Sequence, residues 1–369
     1  MKTVFISAPS SLKEPPFTWS HDLAVELAVE EEKGHPVGCI DNAFYRLDVE
    51  VLENSVKKLE PDELIIYGSL PQYQFVKEYL TAFSDMGAKV MGFQRDIPSF
   101  NLPVRDGALP PKEEPDSLPF PAWHFLPVQD YFRGSALPFT SETAAAERRA
   151  VIKTQWGEVE QSPSYVADTL RYLKLHFNFD FMVFEDDFTR NKERTYKLLE
   201  ELDERDMLGL FGWGCRADIR NIDRDLLAAL REAKCAFVDF GEIDAVDTRD
   251  EATMERAQAA VSSSRASEVF PIIEPTIGHP ETDRDDLVAM LKFLKANKLE
   301  TRPGILEPYP GTPLFDKIKD RVDDVEKHIL KLNESFLNFT RWSDEELLGI
   351  AELMARGDLE RLERVRSFS

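Results

Sequence analysis

The sequence is poor in cysteine, with three in 369 residues. Cys39, Cys215 and Cys235 are an odd number at wide spacing, which fits neither a disulfide framework nor a C-x-x-C metal knuckle. We therefore expect three reduced thiols that pack as small apolar side chains. This excludes the class of small secreted proteins that disulfides hold together.

Long apolar runs are also absent. No stretch approaches the roughly 18 consecutive apolar residues of a membrane-spanning helix. The first residues, Met1 to Ser7, run into Pro9, Lys13 and Glu14 before a signal-peptide core could form. The sequence therefore predicts a cytoplasmic protein with no membrane partner.

Basic residues are outnumbered by acidic ones. The chain has 45 Lys and Arg against 68 Asp and Glu, which gives a net charge of −23 and a sequence pI near 4.8. A field of this sign repels phosphate backbones and anionic lipids. We therefore expect no nucleic-acid partner, and small molecules or other proteins remain as ligands.

Proline marks a connector within the chain. Nine of the 23 prolines lie between Pro98 and Pro138, where each removes an amide donor and favours extended backbone before it. Before the connector, apolar runs alternate with segments of helical spacing, which predicts a parallel sheet of βαβ units. The domains predicted from this shift are a Rossmann-like domain at 1–97 and a connector at 98–145. The strands are expected at 4–6, 37–40, 64–67 and 89–93.

After the connector the alternation of strands and helices resumes and is longer. Six βα units fit within 146–320, fewer than the eight of a complete (β/α)₈ barrel. The fold class expected is therefore α/β, with a Rossmann-like parallel sheet followed by a partial (β/α)₆ barrel and a C-terminal helical segment at 321–369. Helix caps are expected at Ser162, at Thr282 and at Ser343. The barrel strands are expected at 150–155, 179–184, 208–213, 236–240, 269–273 and 302–306.

The predicted barrel strands end in carboxylates. Because chemistry in parallel βα folds gathers at the carboxyl ends of strands, a partial barrel would bring these acids to one opening, which we call the acidic mouth. Arg216 and Arg190 are the basic residues expected nearby, and Arg216 would either grip a ligand carboxylate or pair with Asp218 or Asp187. The alternative is that the acids are helix caps and solvated loop residues. The acidic mouth comprises Asp186, Asp187, Glu242, Asp244, Glu274 and Glu307.

A set of short motifs, in this order and spacing, resembles the cobalamin-binding radical S-adenosylmethionine enzymes. In that family an N-terminal doubly wound domain holds cobalamin above a partial (β/α)₆ barrel, which binds S-adenosylmethionine and a [4Fe-4S] cluster. The resemblance implies the same arrangement here. The motifs are PAWHFLP at 121–127 with Tyr131, FEDDFTRN at 184–191, WGCRAD at 213–218, GHPET at 278–282 and PYPGTP at 308–313.

The resemblance also implies ligand-binding residues. Asp186 and Asp187 would lie near the amino group of adenosylmethionine and Arg216 near its carboxylate. The full set implied for an adenosylmethionine-type ligand is Asp186, Asp187, Arg216, Glu242, Gly278, Pro280, Pro310 and Gly311. For cobalamin, the set is Gly68, Ser69 and Tyr73, at the tip that follows the third strand.

One departure from the family concerns the cluster. The family binds it with a C-x-x-x-C-x-x-C loop after the first barrel strand, because iron in such clusters demands thiolates. Here 151–163 contains no cysteine, and the next helix begins almost at once. We therefore expect no [4Fe-4S] cluster, and without it the radical chemistry of the family does not follow. A D-x-H-x-x-G motif, which would mark a lower cobalt ligand, is also absent.

Three functional hypotheses remain open. In the first, a degenerate homologue retains cobalamin or adenosylmethionine binding, either alone or as a non-catalytic partner of an active paralogue. In the second, an enzyme runs cluster-independent methyl transfer or acid–base chemistry from Asp186, Asp187 and Glu242. In the third, Mg²⁺ or Mn²⁺ binds the acidic strand ends, since hard oxygen ligands suit hard cations. An enzymatic role would make the chain a transferase that uses adenosylmethionine or cobalamin.

Overall fold

The computed structural model describes residues 1–10, 19–93, 102–111, 114–134 and 148–368. Its contacts form two compact units. Among the described residues, no helix is long and apolar enough to cross a membrane. The first unit comprises Met1–Leu137, Ala146–Asp180 and Pro308–Ser335, and the second comprises Pro138–Ala145, Phe181–Glu307 and Phe336–Ser369.

A parallel sheet forms the centre of the first unit. Its strands pair in the order β2-β1-β3-β4, and every pair is parallel, as the sequence predicts. Every residue of β1 is buried, as expected for a parallel strand covered on both faces. The chain changes direction across the sheet between β1 and β3, which makes this the topological switch point. The strands are β1 (Thr3–Ser7), β2 (Val37–Ile40), β3 (Glu63–Tyr67) and β4 (Lys89–Met91).

The helices of this sheet follow from caps and apolar spacing. Ser20 accepts a hydrogen bond from the Leu23 amide at 3.1 Å, which satisfies a free donor at the start of α1. On α3, Leu52 and Val56 are buried at a spacing of one helical turn. These helices are α1 (His21–Glu32), α2 (Asn42–Tyr45), α3 (Val49–Leu59) and α4 (Tyr73–Ala82).

The proline-rich connector contains short helical turns, at Pro115–Ser117 and Trp123–Phe125, before helix α5 (Val128–Gly134). Its backbone is held by a buried carboxylate on α1. Glu26 accepts hydrogen bonds from the amides of Ala108 and Leu109 at 2.9 and 3.0 Å. A side chain thus replaces the backbone partners that an irregular segment lacks.

A second parallel sheet has six strands in the order β12-β11-β10-β9-β8-β5. Neighbours in this sheet are neighbours in the chain, and the sheet curls into the partial barrel that the sequence predicts. A two-stranded antiparallel hairpin, β6 with β7, follows β5. The strands are β5 (Arg149–Ile152), β6 (Gln155–Trp156), β7 (Val159–Glu160), β8 (Phe181–Asp187), β9 (Gly212–Arg216), β10 (Cys235–Asp244), β11 (Phe270–Ile277) and β12 (Gly304–Ile305).

Helices alternate with these strands, and two of the three predicted caps are confirmed. Ser162 caps α6 by accepting from Tyr165 at 3.2 Å, and Ser343 caps α13 with Glu346. The cap predicted at Thr282 is wrong by one residue, since Asp283 caps α10 and donates its amide to Asp286 at 2.7 Å. The helices are α6 (Pro163–Phe177), α7 (Lys192–Glu204), α8 (Arg224–Glu232), α9 (Glu251–Ala266), α10 (Arg284–Ala296), α11 (Pro313–Ile318), α12 (Val325–Glu334), α13 (Asp344–Ala355) and α14 (Leu359–Leu362).

Four of the six barrel strands, β8 to β11, extend further toward their carboxyl ends than the sequence predicts. β8 includes Asp186 and Asp187, β10 includes Glu242 and Asp244, and β11 includes Glu274. The strand predicted at 208–213 begins at Gly212 and ends at Arg216.

Candidate functional site

The inner face of the barrel sheet in the second unit is closed by aromatic rings at its amino-terminal end. The rings of Phe181 and Phe237 stack with centroids 5.9 Å apart and planes 9° apart. They lie over two glycines of β9, where an added Cβ would meet Phe181 at 2.7 Å from Gly212 and Phe237 at 2.4 Å from Gly214. The glycines of β9 therefore make room for a ring floor beneath the inner face.

Above this floor, Arg216 links three strands. Its Nε lies 3.5 Å from Asp239 Oδ2 on β10, and its Nη2 lies 3.5 Å from Glu274 Oε2 on β11. Asp239 is buried and accepts a hydrogen bond from the Gly241 amide at 2.8 Å. Because the Arg216 side chain is 42% exposed and its ion pairs are long, its remaining donors are accessible to a ligand carboxylate.

The acids around Arg216 share one region of negative potential. Burial raises the pKa of Asp239, and burial together with the Asp239 charge raises the pKa of Glu274. Glu307 is exposed to solvent, but the protein around it removes part of its hydration. This loss of hydration, together with the negative charge of Glu242, raises the pKa of Glu307. Glu242 and Glu274 are also register partners on adjacent strands. A cation would relieve the repulsion among these carboxylates.

A cavity of about 720 Å³ runs along β11. We call this cavity the lumen, with an upper end at Glu242, Glu274 and Thr276 and a lower end at the first residues of β11. Thr276 Oγ1 is buried and has no hydrogen-bond partner among the described residues. Polar groups without partners are uncommon in protein interiors, and a bound ligand would satisfy this one. The lumen is also lined by Phe270, Ile272, Lys298, Glu300 and Arg302.

Two predicted members of the acidic mouth also stabilise neighbouring loops. Asp187 Oδ1 accepts from the Asp218 amide at 3.0 Å and the Thr189 hydroxyl at 3.1 Å. Asp244 caps a short helix by accepting from the Val246 amide at 2.9 Å. Both carboxylates stay at the strand ends, where Asp187 is the register partner of Arg216 and Asp244 is the register partner of Thr276.

The remaining predicted residues of the second unit lie in turns or on strands. Arg216 does not pair with Asp218, which forms an ion pair with Arg220. Asp186 lies on β8, half-buried, and Arg190 is exposed in the turn after it. Gly278 has a φ of +111°, which favours glycine, and it opens the turn that contains Pro280. In this turn, buried His279 accepts a hydrogen bond from the Glu281 amide at 3.2 Å.

The predicted residues of the first unit are engaged in local structure. Gly68 directly follows β3, and an added Cβ would lie 2.8 Å from Val76. Ser69 caps the turn before α4 with Gln72. The Tyr73 hydroxyl donates to Glu326 at 2.9 Å. Pro310 and Gly311 also belong to this unit, in the turn before α11, where Gly311 has a φ of +90°.

A short hairpin occupies the place where the family carries its cysteine loop. Gly157 has a φ of +63° at the turn between β6 and β7. Two residues link this segment to α1. Lys153 Nζ, just before the hairpin, and Trp156 Nε1, within it, donate to the two carboxylate oxygens of Asp22 at 2.8 and 3.0 Å. Lys153 holds the pKa of Asp22 below its ordinary value against the opposing effect of burial. These contacts attach the hairpin segment to α1.

The cysteines of the chain lie elsewhere. Cys215 and Cys235 are buried on β9 and β10, and Cys235 Sγ donates to the Phe237 carbonyl at 3.2 Å. Burial raises the pKa of the Cys215 and Cys39 thiols well above the ordinary value. Thiols of this kind remain protonated and are poor ligands for iron. In the part of the chain described, no group of three or more His, Cys, Asp or Glu side chains is arranged to hold a metal ion.

Sequence reasoning missed Asp239, Thr276 and the lower end of the lumen. A signal for Asp239 exists in the alternation of β9 and β10. Gly212, Gly214 and Arg216 fall on one face of β9. Asp239, on the neighbouring strand β10, is the register partner of Arg216. The position of Asp239 follows from that pairing, which no single strand reveals.

Comparison with known proteins places the fold. No protein-family profile and no curated protein sequence matches the chain. Among solved structures it is similar to the radical S-adenosylmethionine methyltransferase TsrM from Kitasatospora setae with cobalamin and a [4Fe-4S] cluster bound, at 14% identity, a TM-score of 0.61, and coverage of 87% of this chain and 78% of that one. TsrM with tryptophan substrate and the analogue aza-SAM gives a TM-score of 0.62 at 14% identity, over 87% of this chain and 76% of that one.

A third structure extends the comparison. The apo form of OxsB, a cobalamin-dependent S-adenosylmethionine radical enzyme, gives a TM-score of 0.54 at 11% identity, over 89% of this chain and 56% of that one. Identities this low show the fold alone. The chain has the fold of the cobalamin-dependent radical S-adenosylmethionine enzymes, and the resemblance that its motifs indicate is supported.

Proposed function

We propose that the second unit binds a ligand of the adenosylmethionine type at the upper end of the lumen, and that this chain binds no [4Fe-4S] cluster. The observation that carries the proposal is the position of Arg216 between Asp239 and Glu274, with Glu242 and Glu307 beside them. One guanidinium surrounded by several carboxylates suits a ligand that has one negative charge and an excess of positive charge.

Adenosylmethionine has this charge pattern. Its carboxylate would bind Arg216 through the planar guanidinium, and its ammonium and sulfonium groups would face Glu242, Glu274 and Glu307. Asp239 would keep Arg216 in place, because it is itself fixed by the Gly241 amide at 2.8 Å. When bound, the ligand supplies an electrophilic methyl group, and the residues named here bind and orient it.

The cluster does not fit the residues present. The hairpin segment between β5 and α6 has no cysteine, and a cluster requires about three to four thiolates. The one-electron step of radical enzymes therefore has no donor in this chain. We infer that the protein either binds its ligand without catalysis, alone or with an active paralogue, or transfers a group by polar chemistry. The contacts of Asp187 with two amides and a hydroxyl do not favour it as the acid–base residue.

For the first unit we propose cobalamin as the ligand. The support is the resemblance in fold and the switch point between β1 and β3, since ligands of doubly wound sheets bind beyond the carboxyl ends of the strands at such a point. Gly68 lies at this edge. The side chains of Ser69 and Tyr73 already have partners in the protein, so the backbone of this tip would make the contacts.

The binding proposal is tested by calorimetric titration with adenosylmethionine. We expect Arg216→Ala to weaken binding by about tenfold or more, since a charge-assisted contact is lost. Glu274→Gln should also weaken it, because a countercharge to the ammonium disappears. Arg220→Ala is the matched control, because Arg220 is an exposed arginine paired with Asp218. Equal loss in both arginine variants would contradict the proposed site.

The cofactor proposals are tested by elemental analysis after anaerobic reconstitution. We expect iron and sulfide far below the about four of each per chain that a cluster requires. After incubation with hydroxocobalamin and desalting, we expect retained cobalt and a shifted absorption spectrum. Stoichiometric iron and sulfide would refute the first expectation, and loss of all cobalt on desalting would refute the second.

A further inference from the structure

The strand ends at the switch point of the first sheet are tightly packed in the part of the chain that the structure describes. β1 continues its pairing with β3 beyond Ser7, since the Ala8 amide donates to the Tyr67 carbonyl at 2.8 Å. A Cβ added at Gly68 would lie 2.8 Å from Val76 and 3.5 Å from the Ala8 side chain. Because carbon atoms that are not bonded pack at about 3.5–4.0 Å, the space beside Gly68 does not hold even a methyl group.

The ends of β3 and β4 are also in direct contact, through their backbones. The Gly68 amide donates to the Met91 carbonyl at 3.0 Å. Gly92 directly follows β4, and an added Cβ there would clash with the Gly68 carbonyl oxygen. These two glycines therefore leave no gap between the two strand ends for a ligand group.

On the other side of β1, a buried carboxylate fills the strand ends. Asp41 directly follows β2 and is 3% exposed. It accepts hydrogen bonds from the Ser7 hydroxyl and, at 2.9 Å, from the Tyr131 hydroxyl. The Ser7 oxygen in turn accepts from the Ala43 amide at 2.9 Å. The polar groups at these strand ends are thus bound to each other.

Helix α12 covers the start of α4, where free backbone amides could bind an anion. The Tyr73 amide donates to the Leu70 carbonyl, and the Gln74 amide donates to Asn333 Oδ1 on α12 at 3.0 Å. Asn333 Nδ2 donates back to the Leu70 carbonyl at 3.0 Å. Ile329 anchors α12 in the apolar core of the unit. The first two amides of α4 therefore already have partners, and a fixed helix supplies one of them.

This packing bears on one part of cobalamin. The molecule consists of a corrin ring that holds cobalt and a nucleotide tail that carries a phosphate and ends in an aromatic base. In free cobalamin this base coordinates the cobalt. A wide, flat ring can lie on the edge of a sheet, whereas a tail held inside the protein requires a cavity for its base and donors for its phosphate. The strand ends described above supply neither.

We propose that the first unit binds corrinoids through the ring alone, with the nucleotide tail outside the fold and its base still on the cobalt. The ligand class is therefore corrinoids with or without a nucleotide. This inference rests on the cobalamin binding proposed above, and it adds which part of the ligand is recognised. The residues that exclude the tail are Ala8, Asp41, Gly68, Gly92 and Asn333.

The first test compares hydroxocobalamin with aquahydroxocobinamide, a corrinoid that lacks the nucleotide. Absorbance titration of the full chain should give dissociation constants within about threefold of each other, because the contacts with the ring are the same. A tail base inside the fold would bury an aromatic surface worth at least about tenfold in affinity. Cobalamin that binds more tightly than cobinamide by that margin would overturn the proposal.

A second readout is the electron paramagnetic resonance of bound cobalamin after reduction to Co(II) with dithionite. We expect the spectrum to keep the nitrogen hyperfine splitting of the coordinated base. Loss of this splitting would show that the base has left the cobalt, and the proposal would then be wrong. Retention of neither corrinoid would instead refute the cobalamin site itself, so the two failures are distinguishable.

Asn333→Ala tests the part played by α12. The substitution frees the Gln74 amide at the start of α4, so we expect cobalamin to gain about threefold or more over cobinamide. Ser335→Ala, at the exposed residue that directly follows α12, is the matched control and should keep the wild-type ratio of the two affinities. A ratio that Asn333→Ala leaves unchanged, or that both variants shift equally, would contradict the exclusion of the tail by α12.

Discussion

His21 is a histidine that the fold holds without charge. It begins α1, is 4% exposed and stacks on Trp156 with ring centroids 6.3 Å apart. Burial lowers the pKa of His21 from 6.5 to about 4, and the opposing effect of Asp22 is smaller. Its Nδ1 has no hydrogen-bond partner among the described residues. A protonated ring at this place would be an unpaired buried charge.

The residue therefore makes stability depend on pH. A depressed pKa contributes stability that is present above pH 6.5 and is lost as pH falls toward 4, because only the unfolded chain takes up the proton. Between pH 6.5 and pH 5 we expect the His21 contribution to the free energy of unfolding to fall by roughly 2 kcal/mol. Urea unfolding of His21→Phe should show a smaller decline than wild type, while His35→Gln, at an exposed histidine, should keep the wild-type slope. Identical slopes for wild type and His21→Phe would contradict this account.

At the scale of elements, β9 is the barrel strand whose glycines leave room for neighbouring rings. Its glycines at 212 and 214 let the rings of Phe181 and Phe237 meet across it at 5.9 Å. The same strand carries Arg216 at its carboxyl end. The floor and the charged site of the lumen are thus positioned by one short strand.

Gly214→Ala tests this packing. The new Cβ would lie 2.4 Å from the Phe237 ring, so we expect a loss of about 1–3 kcal/mol in the free energy of unfolding. Phe237→Leu in the same chain should recover part of the loss. The control is Gly349→Ala on α13, where nothing lies within 4 Å of an added Cβ, and helix propensity predicts a gain of about 0.5–1 kcal/mol. An unchanged midpoint in urea for Gly214→Ala would show that the ring floor is not tightly packed.

At the scale of the whole molecule, the charge of −23 acts together with the carboxylates around Arg216. The pKa values of Asp239, Glu274 and Glu307 are all raised, chiefly by burial. On acidification these groups take up protons at a higher pH than ordinary carboxyls, so the region around Arg216 loses negative charge first.

Binding of a cationic ligand should follow that titration. Between pH 7 and pH 5 adenosylmethionine keeps its own charges, since an α-amino group titrates near 8. We expect its affinity, measured by calorimetry, to fall as pH falls through this range, and the fall to be smaller in Glu274→Gln. Added salt should weaken binding as well, because a Debye length of about 10 Å at 0.1 M screens the field of the chain. Affinity that rises on acidification would exclude carboxylate recognition of the ligand.

The sequence by itself determined the architecture. Apolar runs alternating with segments of helical spacing identified the parallel sheet, the partial barrel and two helix caps, because these depend on local periodicity and on side chains within one turn. It also determined that no cysteine lies between the first barrel strand and the helix after it. Composition and order along the chain suffice for such conclusions.

Only the tertiary structure decided which acids share the site. The register shifts between Phe184 and Asp187 on β8 and between Asp239 and Glu242 on β10. Irregularities of this kind change which side chains face the lumen, and strand alternation does not reveal them. Asp187 and Asp244 therefore bind backbone amides, while Asp239, absent from the predicted site, supports Arg216. The physical reason is that a side chain's partners are set by pairing between strands far apart in sequence, and pairing is a property of the folded sheet.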